Sequence, residues 1–258
     1  MRKISRRRLL TYSAPAALGA VSMMTGHAFA GNIMDEQPMK KKKLMVIGAH
    51  PDDPETGCGG LMALYASAGH EVISVYLTRG EAGVRGKSHE EAATIRTAEA
   101  LEACKILGAR PEFLGQIDGN AEITGERYHD VLNLLKREVP DIIVTHWPID
   151  SHRDHRICSV LAYDAWLSMG RNSAFYYFEV MSGHQSQNFT PTEYVDITNV
   201  ITQKHQACFV HLSQNVEATY GDDHGKMEIF RGMESGFQFA EAYIRHVQSP
   251  ALFLQLHR

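Results

Sequence analysis

Three histidines and three aspartates are concentrated in two short segments, His50-Pro51-Asp52-Asp53 and His152-Arg153-Asp154-His155. Imidazole and carboxylate groups three residues apart, in a turn or at a helix start, can converge on one focus. Two imidazoles and one carboxylate, with a position left for water, form the donor set of a catalytic zinc. The same set also suits iron(II), where geometry rather than affinity decides. Of His152 and His155, one can bind the metal while the other reaches a substrate. Taken alone, each segment is unremarkable, because Pro and Asp are common in turns. The pair gains meaning only if the fold brings the two together.

The elements around them predict that it does. Lys43–Ala49 is a short apolar run without alternation, the pattern of a strand buried on both faces of a parallel sheet. A glycine-rich turn is expected at Gly57-Cys58-Gly59-Gly60, followed by a helix over Leu61–Ala68 that Gly69 ends. A second strand spans Glu71–Thr78, with a loop at Arg79–Gly83. The capping-box spacing Ser88-x-x-Glu91 then opens a helix that Gly108 stops. The alternation continues through a strand at Glu112–Leu114, a loop carrying Asp118-Gly119-Asn120, and a helix to Glu138. A strand at Asp141–His146, a helix from about His155 to Met169 and a strand at Ala174–Val180 follow. Beyond Ser182 the pattern indicates a strand at Tyr194–Ile197 and two helical stretches, continuing the same domain.

Strands alternating with helices of this length predict one α/β domain over residues 43–258, a Rossmann-like, doubly wound, mainly parallel sheet with helices on both faces. In a sheet of order 3-2-1-4-5 the first and fourth strands meet at the switch point, and ligands bind beyond their carboxyl ends. Strand order alone therefore places the two segments across one crevice.

With these motifs in view, the chain resembles the PIG-L/LmbE-like zinc deacetylases, which remove acyl groups from N-acetylglucosamine-containing compounds. The resemblance rests on Ala49-His50-Pro51-Asp52-Asp53 with Gly57-Cys58-Gly59-Gly60 behind it, Thr78-Arg79-Gly80-Glu81-Ala82-Gly83, Arg96-x-x-Glu99 and Pro148-x-Asp150-x-His152-x-Asp154-His155. It continues through Tyr194-Val195-Asp196-Ile197-Thr198, Lys204 and Gly236-x-x-x-Ala240-Glu241 to an expected C-terminal helix. The resemblance implies His50, Asp53 and His155 as Zn2+ ligands, Asp52 as general base and a cationic His152 as electrophilic helper. It further implies Arg96 and Asp118 as holders of sugar hydroxyls. Asp154 and Asp150 are expected to orient the histidines from behind. Many members carry Glu directly after the paired aspartates, whereas this chain has Pro54-Glu55, a departure that bears on substrate details more than on the chemistry. His70, His129, His205, His211 and His246 are read as surface or core residues.

Residues 1–30 read as an export signal of the twin-arginine type. They combine a basic head with Arg6-Arg7-Arg8, an apolar stretch from about Ala14 to Met24, and Ala28-Phe29-Ala30 as a cleavage site. The apolar stretch is shorter than the roughly 20 residues of a membrane span, so no stable membrane insertion is expected, and the mature protein should be periplasmic or secreted. Residues 31–42 read as a linker. Five of the 26 basic residues lie in the signal, which leaves 21 against 30 acidic ones and a net charge of −9. That balance argues against nucleic acid as a partner. The expected partner is a small-molecule or glycan N-acyl amine.

Cys58, Cys104, Cys158 and Cys208 form no Cys-x-x-Cys pair and are read as core residues. The loop after the first strand lacks Gly-x-Gly-x-x-Gly, and no Gly-x-Ser-x-Gly occurs, which disfavours a nucleotide-dependent oxidoreductase and a serine hydrolase. An amidase acting on a non-sugar amide, or a silent sugar- or metal-binding relative, remain the alternatives.

Overall fold

The computed structural model describes residues 41–250, 252 and 254–256; the expected export signal, residues 1–30, lies outside these. In chain order the elements are β1 (Lys43–Gly48), α1 (Asp53–Ser67), β2 (Glu71–Thr78), α2 (His89–Leu107), β3 (Arg110–Gln116), α3 (Gly125–Glu138), β4 (Ile142–His146), α4 (Arg153–Ser168) and β5 (Ala174–Phe178). They continue with β6 (Glu193–Asp196), α5 (Ile201–Phe209), a single 3-10 turn (Leu212–Gln214), α6 (Val216–Tyr220), α7 (His224–Ser235) and β7 (Ala240–Arg245). The seven strands run in the order β3-β2-β1-β4-β5-β7-β6. The first five are parallel, and β7 is antiparallel to both of its neighbours. β1 and β4 are hydrogen-bonded neighbours, as the order 3-2-1-4-5 requires.

Side chains alternate along a strand, and in β1 both sets are apolar because both faces are covered. Leu44 and Val46 pack with Cys58, Leu61 and Tyr65 of α1, whereas Met45 and Ile47 pack with Leu134 of α3 and with Leu161 and Trp166 of α4. The four cysteines are buried free thiols. Among the described residues no helix is long and apolar enough to cross a membrane.

Two local expectations are corrected. Gly57-Cys58-Gly59-Gly60 is not a turn, because α1 already begins at Asp53 and runs straight through it. Glycine in a helix interior costs about 1 kcal/mol against alanine, but here the missing Cβ makes room. A Cβ on Gly57 would overlap the Phe178 ring, and one on Gly60 would overlap Ile197. The second correction is at the carboxyl end, where Ala240–Arg245 is the strand β7 rather than part of a helix. It inserts between β5 and β6, with Ala240, Ala242 and Tyr243 buried. The capping box opening α2 is present: Ser88 Oγ accepts from the Glu91 N–H at 3.3 Å, and Glu91 Oε2 accepts from the Ser88 N–H at 2.9 Å.

Candidate metal centre and active site

Each reactive group stands at an end of an element. His50 follows β1, Asp52 caps the N-terminus of α1 and Asp53 is its first residue, while His146 ends β4, His152 caps α4 and His155 lies in its first turn. Parallel strands ending side by side and helices starting there bring these residues into one buried cluster. His50 Nδ1 lies 3.1 Å from Asp53 Oδ2, His155 Nε2 lies 3.3 Å from Asp53 Oδ1, and the two ring nitrogens are 3.3 Å apart. Zinc bonds of 2.0–2.1 Å at tetrahedral angles separate neighbouring donors by about 3.3–3.4 Å. The two rings stand at that spacing from each other and each meets a different oxygen of Asp53, while the groups whose donor atoms all lie within 4.8 Å of one another are His50 with His152 and His155, Asp53 with His146 and His155, and His50 with Asp118 and Asp154.

The surrounding carboxylates orient the rings. Asp150 Oδ1 lies 3.1 Å from His155 Nδ1, and it is held in turn by the His152 N–H at 2.8 Å and, through Oδ2, by the Ser186 hydroxyl at 3.0 Å. On the far side of His50, Nε2 faces Asp118 Oδ1 at 3.2 Å and Asp154 Oδ2 at 3.4 Å. The Gly119 N–H donates to Asp154 Oδ2 at 2.7 Å. A carboxylate behind a ligating imidazole fixes its tautomer and raises its basicity.

The electrostatics fit a cation. Burial opposes a charge on His155, yet Asp53 and Asp150 outweigh it and raise its pKa to about 9. His50 behaves likewise: burial works against protonation, and Asp118, Asp154 and Asp53 still lift its pKa well above the ordinary value. Asp53 is held well below the usual carboxylate range, because His155 and His146 overcome the burial that would raise it. A centre that pulls positive charge among several carboxylates suits a divalent ion bound by neutral imidazoles and a carboxylate.

Asp52 is placed differently. Its backbone sits at φ 114°, outside the regions comfortable for a side-chain-bearing residue. The Glu55 carboxylate, accepting from the Asp52 N–H at 3.1 Å, and the Thr56 N–H, donating to the Asp52 carbonyl at 2.9 Å, hold it there. Arg96 donates to Asp52 Oδ2 at 2.9 Å and to the Pro51 carbonyl. Burial raises the Asp52 pKa, and the Arg96 charge partly offsets this. Arg96 pairs with Asp52, while Glu99 bonds elsewhere, so the simple Arg96–Glu99 pair is not formed. Asp118 is more than a turn residue, since it meets His50 and accepts from the Ala82 N–H at 3.2 Å.

The His152 pKa is lowered, first by burial and then by His50 and His155, which works against the cationic form expected from the resemblance, and its Nδ1 accepts from the Asp154 N–H at 3.2 Å.

Several residues escaped the sequence pattern. His146 closes the far side of the cluster, with Nε2 3.3 Å from Asp53 Oδ2 and its ring stacked on His155 at 4.0 Å. It ends a switch-point strand, which is the signal that could have found it. His211 is fully buried 3.5 Å from Glu55, directly behind Asp52. Gln185 and Gln214 line the cleft together with His50, Asp52, Arg96, Asp118 and His152, and no local motif marks them. The cleft encloses ≈ 530 Å³, enough for a small sugar.

Residues 45–166 match the family model for PIG-L, described as GlcNAc-PI de-N-acetylase. The chain is similar to the diacetylchitobiose deacetylase of Thermococcus kodakarensis, 28% identical over 233 residues, which is 83% of this chain and 86% of that protein. Among solved structures, the N,N'-diacetylchitobiose deacetylase of Pyrococcus horikoshii superposes with a TM-score of 0.72 at 26% identity, covering 82% of this chain and 88% of that one. A 4-oxalmesaconate hydratase of Pseudomonas putida is 26% identical over 186 residues, 65% of this chain and 72% of that protein.

Proposed function

We propose that this chain, whose residues 45–166 match the PIG-L family model, is a zinc-dependent N-deacetylase acting on an N-acetylglucosamine-like sugar. The observation that carries this reading is the convergence of His50 and His155, whose ring nitrogens lie 3.3 Å apart, on the two oxygens of Asp53 at 3.1 and 3.3 Å, with Asp52 clamped beside them by Arg96. His50, Asp53 and His155 would hold the metal. When bound, zinc supplies an acidified water, with a pKa of about 7, and an electrophile for the amide carbonyl.

The rest of the reaction falls to the protein. The Asp52 carboxylate takes the proton of the attacking water as the C–O bond forms, and returns it to the departing nitrogen as the C–N bond breaks, leaving a carboxylic acid and a free amine. His152, whose Nδ1 accepts from the Asp154 N–H, has Nε2 left to donate a hydrogen bond to the carbonyl oxygen as negative charge builds there. Arg96 and Asp118 line the same cleft and would hold sugar hydroxyls. Export by the twin-arginine route belongs to the same proposal and is supported by the residue pattern of positions 1–30; fractionation of cells expressing the full chain would place it.

The hydratase relative favours a second reading, in which the same base and cation add water to a carbon–carbon double bond. One assay separates the two. The protein without residues 1–30 is incubated with N-acetylglucosamine, N,N'-diacetylchitobiose and an unsaturated dicarboxylate, following free amine in the first two and loss of ultraviolet absorbance in the third. Amine release is expected to fall more than about 100-fold after removal of metal by chelator and to return with added zinc. Loss of absorbance without amine release would move the hydratase reading to the front.

A further inference from the structure

The motif Arg96-x-x-Glu99 is only half used by the chemistry above. Arg96 points at Asp52, while Glu99, one helical turn further along α2, grips the 3-10 turn Leu212–Gln214 that follows α5. The Ser213 N–H donates to Glu99 Oε1 at 2.8 Å, and the Ser213 hydroxyl donates to Glu99 Oε2 at 2.6 Å. Gln214, next in the chain, lines the substrate cleft. Its Nε2 donates to the Gly83 carbonyl at 3.1 Å and to Ser213 Oγ at 3.1 Å. The carboxamide orientation is therefore determined by chemistry. A carbonyl can only accept, and the Ser213 proton is already committed to a carboxylate, so only an NH2 group satisfies both contacts. Both Nε2 protons are spent, and Gln214 Oε1 has no hydrogen-bond partner among the described residues.

We propose that Gln214 reads a hydroxyl of the substrate as a hydrogen-bond acceptor, and that Glu99, through Ser213, reinforces the polarity that the Gly83 carbonyl sets. The proposal rests on the sugar-deacetylase reading of the site. The chain of bonds runs in one direction: Glu99 accepts from Ser213, Ser213 accepts from Gln214, and Gln214 presents Oε1. The group it would bind is a donor on the glycan, held next to Gly83, whose Cα backs onto the Arg96 guanidinium. Gln214 is thereby a substrate-binding residue and Glu99 a positioning residue acting through Ser213. The Gly83 carbonyl and the Glu99–Ser213 pair together decide that the cleft wall offers an acceptor there.

The test uses the protein without residues 1–30, loaded with zinc, and compares wild type, Gln214→Met and Glu99→Gln on N,N'-diacetylchitobiose and N-acetylglucosamine. Each sugar is also supplied as a series of monodeoxy analogues. For Gln214→Met, KM on the parent sugars is expected to rise about 5–10-fold, the equivalent of one neutral hydrogen bond, with the loss falling on KM rather than on kcat. One deoxy analogue should bring the wild type to the same KM while leaving Gln214→Met unchanged, because the two deletions remove the same contact. Glu99→Gln is expected to blunt the discrimination against that same analogue, a readout that a merely structural support would not move.

A KM for Gln214→Met equal to wild type on every sugar overturns the proposal. So does a KM that rises by the same factor on the parent and on all analogues, which would mean a distorted wall rather than a lost contact. Absence of wild-type amine release from every N-acetyl sugar overturns the reading of the site, and this inference with it. Wild-type turnover with no effect at Gln214 overturns the inference alone.

Discussion

Asp52→Asn is expected to lower kcat by about 10²–10⁴-fold, the usual share of a general acid–base group, without loss of bound metal or of thermal stability. Asn keeps the shape of Asp, and its amide oxygen can still accept from Arg96, which donates to Asp52 Oδ2 at 2.9 Å. The backbone at this position is at φ 114°, a region that Asn tolerates better than most residues. The supporting bonds from Thr56 and to Glu55 involve only the Asp52 backbone, so the substitution leaves them in place. His50, Asp53 and His155 are unchanged, so zinc content should match wild type. What disappears is the capacity to take a proton. Kinetics on an N-acetyl sugar, with metal analysis and a melting curve on the same preparation, check this. A kcat within about tenfold of wild type would remove Asp52 from the role of base.

Lys204→Met is expected to destabilise the fold by about 3–5 kcal/mol, the range for breaking a buried ion pair. For a domain of this size that corresponds to a drop in melting temperature of about 6–20 °C. The Lys204 ammonium is fully buried between Glu228 Oε1 at 3.0 Å and Glu241 Oε1 at 2.9 Å, and both carboxylates are themselves fully buried. Removing the cation strands two charges without a counter-charge. Glu241 also accepts from the Gly60 and Leu61 N–H groups of α1 at 2.8 Å each, so the network ties α5, α7 and β7 to the helix that begins at Asp53. Adding Glu228→Gln and Glu241→Gln should recover part of the loss. Differential scanning calorimetry of wild type, Lys204→Met and the triple variant decides it, and a Lys204→Met protein that melts with wild type would refute the assignment.

The same network sets an acid limit. Burial alone would raise the Glu228 pKa, but Lys204 and the hydrogen bonds from His205 and Tyr220 overcome it and hold the value at about 2, against an ordinary 4.5. A carboxylate with a depressed folded-state pKa contributes stability that is complete above the unfolded value and fades as pH falls towards the folded one. Stability from Glu228 should therefore be full above about pH 4.5 and be lost on the way down to about pH 2. Denaturant unfolding at stepped pH should show a slope over that window that is reduced in Lys204→Met.

The amino-acid sequence by itself determined the parallel half of the sheet and the centre of the site. The run Lys43–Gly48 is apolar on both faces, so it has to be a central strand, and a strand–helix alternation puts β4 beside it. Because His50 and Asp53 follow one of these strands, and His152 and His155 follow the other, local periodicity and strand order were enough to bring them together. Arg96 and Asp118 were legible through the family resemblance rather than through periodicity, and both line the cleft.

Tertiary structure decided what depends on partners far away in the chain. Gly57–Gly60 reads as a turn locally and is a helix because Phe178, Ile197 and Lys204 fill the space a side chain would need. Ala240–Arg245 is a strand because β5 and β6 leave a slot between them, to which it pairs antiparallel. Gln214 faces the cleft because Glu99, 114 residues before Ser213, anchors its turn. A charge on His152 is disfavoured by burial and by two neighbouring imidazoles, a property of the assembled cluster that no spacing encodes. Periodicity records which face of an element is buried, while the identity of the group it is buried against is a long-range fact that only the folded chain supplies.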